Sequence, residues 1–241
     1  MSHRFNHLIK IMGLVTVVGH SLVAFAADPV TDAMSAANAP YRMALFKTNG
    51  KSHEEAQQAL AQAQQAWDKL GAQFGAKPLP PYDRDGAFAE SVAAVSRVYA
   101  KAMSEVAANQ LGAAHNTLED ARDIMADMRQ RNNVVVFSDH MNAYHAEMEH
   151  IITDGANTLA QPKGLLQMTA KTGALSYLAR RLSTQAPDSL SKNAEFTTLV
   201  SAVNQSVSAL ETALLNQDLA AVKEAIGKLK GPYSKLFSKF G

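Results

Sequence analysis

Apolar residues recur every three or four positions along most of the chain, which is the spacing of one face of an α-helix. The most regular stripe alternates spacings of three and four and then breaks at Arg131-Asn132-Asn133. This alternation fills the a and d positions of a heptad, so it predicts a helix that packs against an antiparallel neighbour. The stripe consists of Leu111, Ala114, Leu118, Ala121, Met125 and Met128.

Further stripes, at similar spacings, begin at Phe88, Phe137 and Phe196, and short segments with turn and capping residues separate them. Ser52 and Glu55 form a capping box that opens another helix, for which Gly75 is the stop signal. Short connections between periodic helices favour antiparallel neighbours. The sequence therefore predicts an all-α fold, an antiparallel helical bundle of about six or seven helices.

Composition supports the helical prediction, because alanine is frequent whereas glycine and proline are sparse and clustered. The one β-like run, Val134–Phe137, has no partner strand. We expect a polar leader over Asp28–Pro40 and a short helix over Tyr41–Phe46. The expected organisation is a signal peptide (1–26), a leader with a short helix (27–51), a helical bundle that carries the candidate site (52–156), and C-terminal helices that pack on or beside it (163–241).

The N-terminal segment has the pattern of a secretory signal peptide. Arg4 and Lys10 precede an interrupted apolar run, and Ala24-Phe25-Ala26 is a small-x-small cleavage pattern, so we expect a mature chain that begins at Ala27. The apolar run is shorter than the roughly 20 residues that a membrane-spanning helix needs. The sequence thus predicts export to the periplasm, with no membrane span after cleavage.

Cysteine usage and charge narrow the chemistry that the chain can perform. With no cysteine there is no disulfide, no thiolate metal site, no iron–sulfur cluster and no CxxCH haem attachment. Removing the two basic residues of the signal leaves 21 basic against 22 acidic residues. This near-neutral balance gives no reason to expect nucleic acid or an anionic membrane as a partner.

Two histidine–glutamate pairs are the candidate chemistry of the mature chain, which has five histidines. His115 and Glu119 follow the pattern core–His–x–x–core–Glu, and His145 and Glu149 repeat it. The i,i+4 spacing places both members of a pair on one helix face. Two cross-pairs between the helices, His115 with Glu149 and Glu119 with His145, are both centred on Asn132 in the sequence. A tight hairpin at Asn132 would therefore bring two imidazoles and two carboxylates together.

A set of two histidines and two carboxylates on helices is suited to a transition metal such as copper, iron or zinc. The sequence therefore predicts a periplasmic metal-binding protein, for storage, delivery or sensing, and not an enzyme. The predicted metal ligands are His115, Glu119, His145 and Glu149, with His140 and Met148 as further candidates; thioether sulfur would favour Cu(I). Met141 and His150 are weaker candidates still, and His53 is expected to be exposed and uninvolved.

Other interpretations of the same residues stay open. The pairs are also compatible with solvated surface ion pairs. A non-covalent haem protein would need a Met–His axial pair such as Met125 with His145, and a ligand-free helical interaction module would use its Ala-rich grooves to receive a partner helix. Ser138-Asp139-His140 is not a catalytic triad, because adjacent residues on a helix point in different directions. No phosphate loop, GxSxG or HExxH motif is present.

The predicted architecture is similar to the periplasmic bundle cytochromes, of the b562 and c′ types, and to the ferritin-like carboxylate bundles. The chain lacks the sequence motifs of those families. The CxxCH of the c′ type is absent, and the Glu-x-x-His spacing of the ferritin-like proteins is replaced by His-x-x-x-Glu. The resemblance implies an architecture only, and no site residue is transferred from it.

Overall fold

The computed structural model describes residues 28–241, and within that range the chain is all-α. The predicted helical-bundle fold is confirmed. The predicted signal peptide, with its cleavage before Ala27, lies outside the described residues. The helices are α1 (Pro29–Thr48), α2 (His53–Phe74), α3 (Phe88–Ala107), α4 (Leu111–Arg131), α5 (Phe137–Ala160), α6 (Gly164–Thr184), α7 (Asp188–Ser191), α8 (Ala194–Leu215), α9 (Leu219–Lys228) and α10 (Lys230–Phe240).

Helix α1 covers the segment for which the sequence predicted a polar leader. Asp28 caps the helix by accepting a hydrogen bond from the Thr31 amide at 2.9 Å, and Pro29 occupies the first helical position, where proline is tolerated. Its buried stripe contains Val30, Met34 and Ala37. The sequence pattern did not predict this stripe, because small and polar residues separate its members and because Pro40 lies inside the helix.

The buried side chains form two hydrophobic cores that divide between α4 and α5. Helices α1–α4 enclose the first core, around Trp67, whose indole N–H donates to the Val92 carbonyl at 3.0 Å. Helices α5–α10 contribute the second, which includes Tyr144 and Phe196. Helix α5 therefore shares its core with the C-terminal helices, whereas the expected bundle over residues 52–156 places it with α2–α4.

The predicted pairing of α4 with α5 is wrong. Helix α4 packs mainly against α3, and α5 packs mainly against α6. The apolar stripe of α4 does face a neighbouring helix, as its heptad spacing requires, but that neighbour precedes it in the chain. A heptad pattern specifies that a partner exists and leaves its identity to the rest of the fold.

Two features connect the cores. At the α4–α5 junction the buried Arg129 guanidinium binds the Asp139 carboxylate, which also accepts the Val136 amide at 3.0 Å and so caps α5. At the other end of the chain, α10 packs on α8 and also touches α1 and α5. Between residues 28 and 241 no helix is long and apolar enough to cross a membrane.

Candidate functional site

A cavity of about 460 Å³ lies between the two cores, enclosed by α1, α4, α5 and α10; we call it the interbundle cavity. Its polar lining includes His115, Glu119, Arg122, His145, Glu149 and Lys230. Its apolar lining is formed by Leu45, Phe46, Met148, Tyr233 and Phe237. Each of the four helices contributes at least two of these side chains.

Five of the six predicted metal ligands line this cavity. His115 and Glu119 reach it from α4, and His145, Met148 and Glu149 reach it from α5. The set is nevertheless not assembled as a metal centre, because in the described part of the chain no three His, Asp or Glu side chains stand close enough to hold one ion. The cavity gathers the predicted residues but spaces them too widely for a closed four-ligand site.

His115 is held firmly by α1. Its Nδ1 lies 3.1 Å from the Leu45 carbonyl oxygen, so Nδ1 carries the proton and donates it to that oxygen. Its Nε2 is then unprotonated, and the lone pair of Nε2 accepts a hydrogen bond from the Asn49 side-chain amide at 3.1 Å. Burial lowers the pKa of His115, and Glu119 opposes this effect. The imidazole is therefore neutral at pH 7.

His145 is held by α4 and α10 in the opposite tautomer. Arg122 Nη1 donates to its Nδ1 at 3.1 Å, so the ring proton is on Nε2, 3.5 Å from Glu149 Oε1. The ring stacks on Tyr233, with centroids 5.3 Å apart and an angle of 6° between the planes. Burial lowers the pKa of His145, and the Arg122 charge lowers it further.

The two carboxylates of the cavity are each paired with a cation. Glu149 Oε1 lies 2.8 Å from Lys230 Nζ, and Glu119 Oε1 lies 3.5 Å from Arg122 Nη1. The predicted cross-pairs are not formed: within the described chain neither His115 with Glu149 nor Glu119 with His145 comes within ion-pair distance. The hairpin that would have aligned them does not exist, and Arg122 lies between Glu119 and His145.

The remaining candidates lie elsewhere. His140 is half-buried on α5, outside the cavity, where burial and then Arg181 lower its pKa. Met141 is fully buried in the second core, and His150 is exposed. Met125 lines a different cavity from His145, so the structure does not bring this axial pair for haem together.

Three residues of the cavity were not predicted as site residues: Arg122, Lys230 and Tyr233. Arg122 could have been found, because it follows Glu119 at i+3 and His115 at i+7 and so shares their helix face. Tyr233 belongs to a C-terminal apolar stripe that core packing alone explains. Lys230 carries no local signal, because only the packing of α10 across both cores brings it to Glu149.

No relative of the chain was found: no family model, no curated protein and no solved structure matches it. The chemistry of the interbundle cavity is therefore inferred from its own geometry. It offers two neutral imidazoles, two carboxylates whose charges are balanced by two cations, and one apolar wall.

Proposed function

We propose that the chain is a periplasmic transition-metal-binding protein, and that the interbundle cavity is its site. The observation that carries this proposal is the spacing inside each histidine–glutamate pair. The Nε2 and Oε1 atoms are 3.5 Å apart in the His145–Glu149 pair and 4.0 Å apart in the His115–Glu119 pair. These distances exceed a normal N–H···O hydrogen bond. They are close to the roughly 3.4 Å that separates two ligands about 2.1 Å from a tetrahedral metal.

The state of His115 supports the proposal. Metal binding needs a neutral imidazole, and burial keeps this one neutral. Its Nδ1–H donates to a backbone carbonyl, which is the usual arrangement behind a metal-ligating histidine, and this leaves the lone pair on Nε2. An ion would have to displace only the Asn49 amide from that lone pair.

Metal uptake on His145 requires a larger rearrangement. An ion on Nε2 needs the proton to move to Nδ1, and Arg122 must then release that nitrogen. Lys230 must also leave Glu149: its 58% exposed side chain can move into solvent, but the ion must then take its place beside Glu149 Oε1, which is buried. The two cations thus occupy the space beside the carboxylates that the ion would take.

The test is the metal content and metal affinity of the mature protein. Elemental analysis of protein from a periplasmic extract should find one equivalent of copper, iron or zinc. Calorimetric titration should give an affinity that falls more than tenfold in His145→Ala and in His115→Ala, because each loses a ligand. His150→Ala is the matched control, since His150 is exposed on the same helix as His145 and should change nothing.

A metal that binds only the native state stabilises it by about 2.7 kcal/mol when the free metal concentration is a hundred times Kd. The melting temperature should therefore rise. If saturating copper, zinc, iron and manganese all leave the melting temperature unchanged, the proposal is wrong and the cavity residues are interhelical ion pairs. A Soret band in the purified protein would instead favour haem.

A further inference from the structure

We infer that one exposed face of helix α6 is a docking surface for an acidic amphipathic helix of a partner protein. The surface is separate from the interbundle cavity, whose lining includes no residue of α6. Three observations carry the inference: exposed apolar side chains in line on one face, charges of a single sign, and cations without ion-pair partners. We call this surface the α6 face; it consists of Leu166, Ala170, Gly173, Tyr177, Arg180 and Arg181.

The apolar part of the α6 face is open to solvent. Leu166 is 67% exposed and Tyr177 is 54% exposed. At about 3.6 residues per turn both project from the same side of the helix, about 16 Å apart along its axis. Ala170 and Gly173 lie between them, and a Cβ added at Gly173 would meet no other atom. The result is a straight, shallow strip, which is the shape that receives a helix laid along it.

The charges around this strip are all positive. Between Asp154 and Asp188 the chain has no acidic residue, whereas it has four basic ones. The whole chain has 23 basic and 22 acidic residues, so this segment departs strongly from the average. The four basic residues are Lys163, Lys171, Arg180 and Arg181.

These cations are not neutralised by the fold. Within the described residues none of the four has a carboxylate at ion-pair distance. Helix α10 is the informative comparison, because it also lacks acidic residues. Its Lys230 and Lys239 nevertheless pair with Glu149 and Glu195 from other helices. The positive charge of α6 is therefore available to an acidic partner, and charge complementarity selects that partner.

Tyr177 and the two arginines have the composition of an interface centre. The Arg181 guanidinium lies over the Tyr177 ring, 5.8 Å from its centroid, and Arg180 is exposed beside them. Tyrosine and arginine are enriched at the centres of protein interfaces, where aspartate and glutamate are depleted. A partner helix can pack an apolar side chain on the ring while its carboxylates bind the guanidinium groups. Tyr177 is therefore the expected anchor.

The same observations disfavour two other occupants. A second copy would bring two α6 faces together in a symmetric contact, and each face carries positive charge alone. A helix that lies in an anionic bilayer buries a broad apolar face. The large apolar residues of α6 point instead into the second core, as Met168, Leu175 and Leu182 do, which leaves Leu166 and Tyr177 for a bilayer.

The experiment titrates the full mature chain into two fluorescent peptides that are stapled as helices and share a leucine face. One carries glutamates beside that face, and the other carries lysines at the same positions. Fluorescence anisotropy should show that the glutamate peptide binds about tenfold more tightly, and that added salt weakens its binding. Tyr177→Ala should remove most of the affinity for the glutamate peptide. Arg180→Glu should abolish the preference for glutamate over lysine.

Leu215→Ala and Lys223→Glu are the matched controls, because Leu215 is 78% exposed on α8 and Lys223 is exposed on α9. Both should leave the two affinities unchanged. Equal affinity for the two peptides, or no binding of either, would overturn the inference. So would binding of phosphatidylglycerol vesicles, or a dimer in sedimentation, that Tyr177→Ala removes. None of these outcomes bears on metal binding in the interbundle cavity.

Discussion

The two imidazoles of the interbundle cavity use their nitrogens in opposite ways. His115 donates from Nδ1 to a backbone carbonyl, whereas His145 accepts at Nδ1 from Arg122. Both are kept neutral, because burial disfavours the charged form and because Arg122 and Lys230 already supply positive charge nearby. The carboxylates of Glu119 and Glu149 offset only part of this lowering of the imidazole pKa values.

This neutrality predicts that the metal-free protein loses stability in mild acid. In the unfolded chain a histidine titrates near pH 6.5, whereas in the folded protein the pKa of both imidazoles is lower. Below pH 6.5 the unfolded state therefore binds more protons, and the free energy of unfolding falls as the pH falls toward the folded pKa values. Urea unfolding between pH 8 and pH 5 measures this slope.

The comparison for that measurement is His145→Gln, which keeps a polar side chain that cannot take up the proton. We expect its free energy of unfolding to depend less on pH between 7 and 5 than that of the unaltered protein. If the two curves run parallel, the cavity accommodates the imidazolium without cost, and Glu119 and Glu149 balance its charge.

At the level of the helices, the Arg129–Asp139 pair fixes how α4 leads into α5. Arg129 is 6% exposed, and its guanidinium binds both oxygens of the Asp139 carboxylate. Replacing Asp139 by Asn leaves a buried charge without a counterion, so we expect Asp139→Asn to lower the free energy of unfolding by about 3 kcal/mol. Chemical denaturation checks the value.

Asp188→Asn serves as the control for that change, because Asp188 forms a fully surface-exposed pair with Lys192 and should alter stability by less than about 0.5 kcal/mol. If both variants lose the same free energy of unfolding, the Arg129–Asp139 pair is solvated and does not fix how α4 leads into α5.

The helices themselves were largely predictable from the sequence, and their partners were not. The stripe of α4 and the cap at Ser52 are local patterns, and both give the helix that the structure contains. The packing of α4 on α3 depends on the whole chain. The histidine–glutamate residues line one cavity, but the hairpin from which a four-ligand set was predicted is absent and the four side chains do not meet. Lys230 reaches the cavity only through α10, which no local pattern specifies.

At the scale of the whole molecule, the cavity lies on the boundary of the two cores, so whatever it binds contacts both. The protein itself joins them through α10, the Arg129–Asp139 pair and the contact between Arg122 and His145. The chain has one tryptophan, Trp67, which is fully buried in the first core. Its fluorescence therefore reports on that core alone.

We expect the two cores to unfold together. Leu60→Ala in the first core and Leu182→Ala in the second each remove a fully buried side chain, and each should cost about 2–5 kcal/mol. If the cores are coupled, Leu182→Ala lowers the denaturation midpoint of Trp67 fluorescence as much as that of circular dichroism at 222 nm. If the Trp67 midpoint stays unchanged while the dichroism transition splits, the cores unfold independently. The interbundle cavity would then lie between two separately stable units, and a ligand that contacts both cores should merge the two transitions.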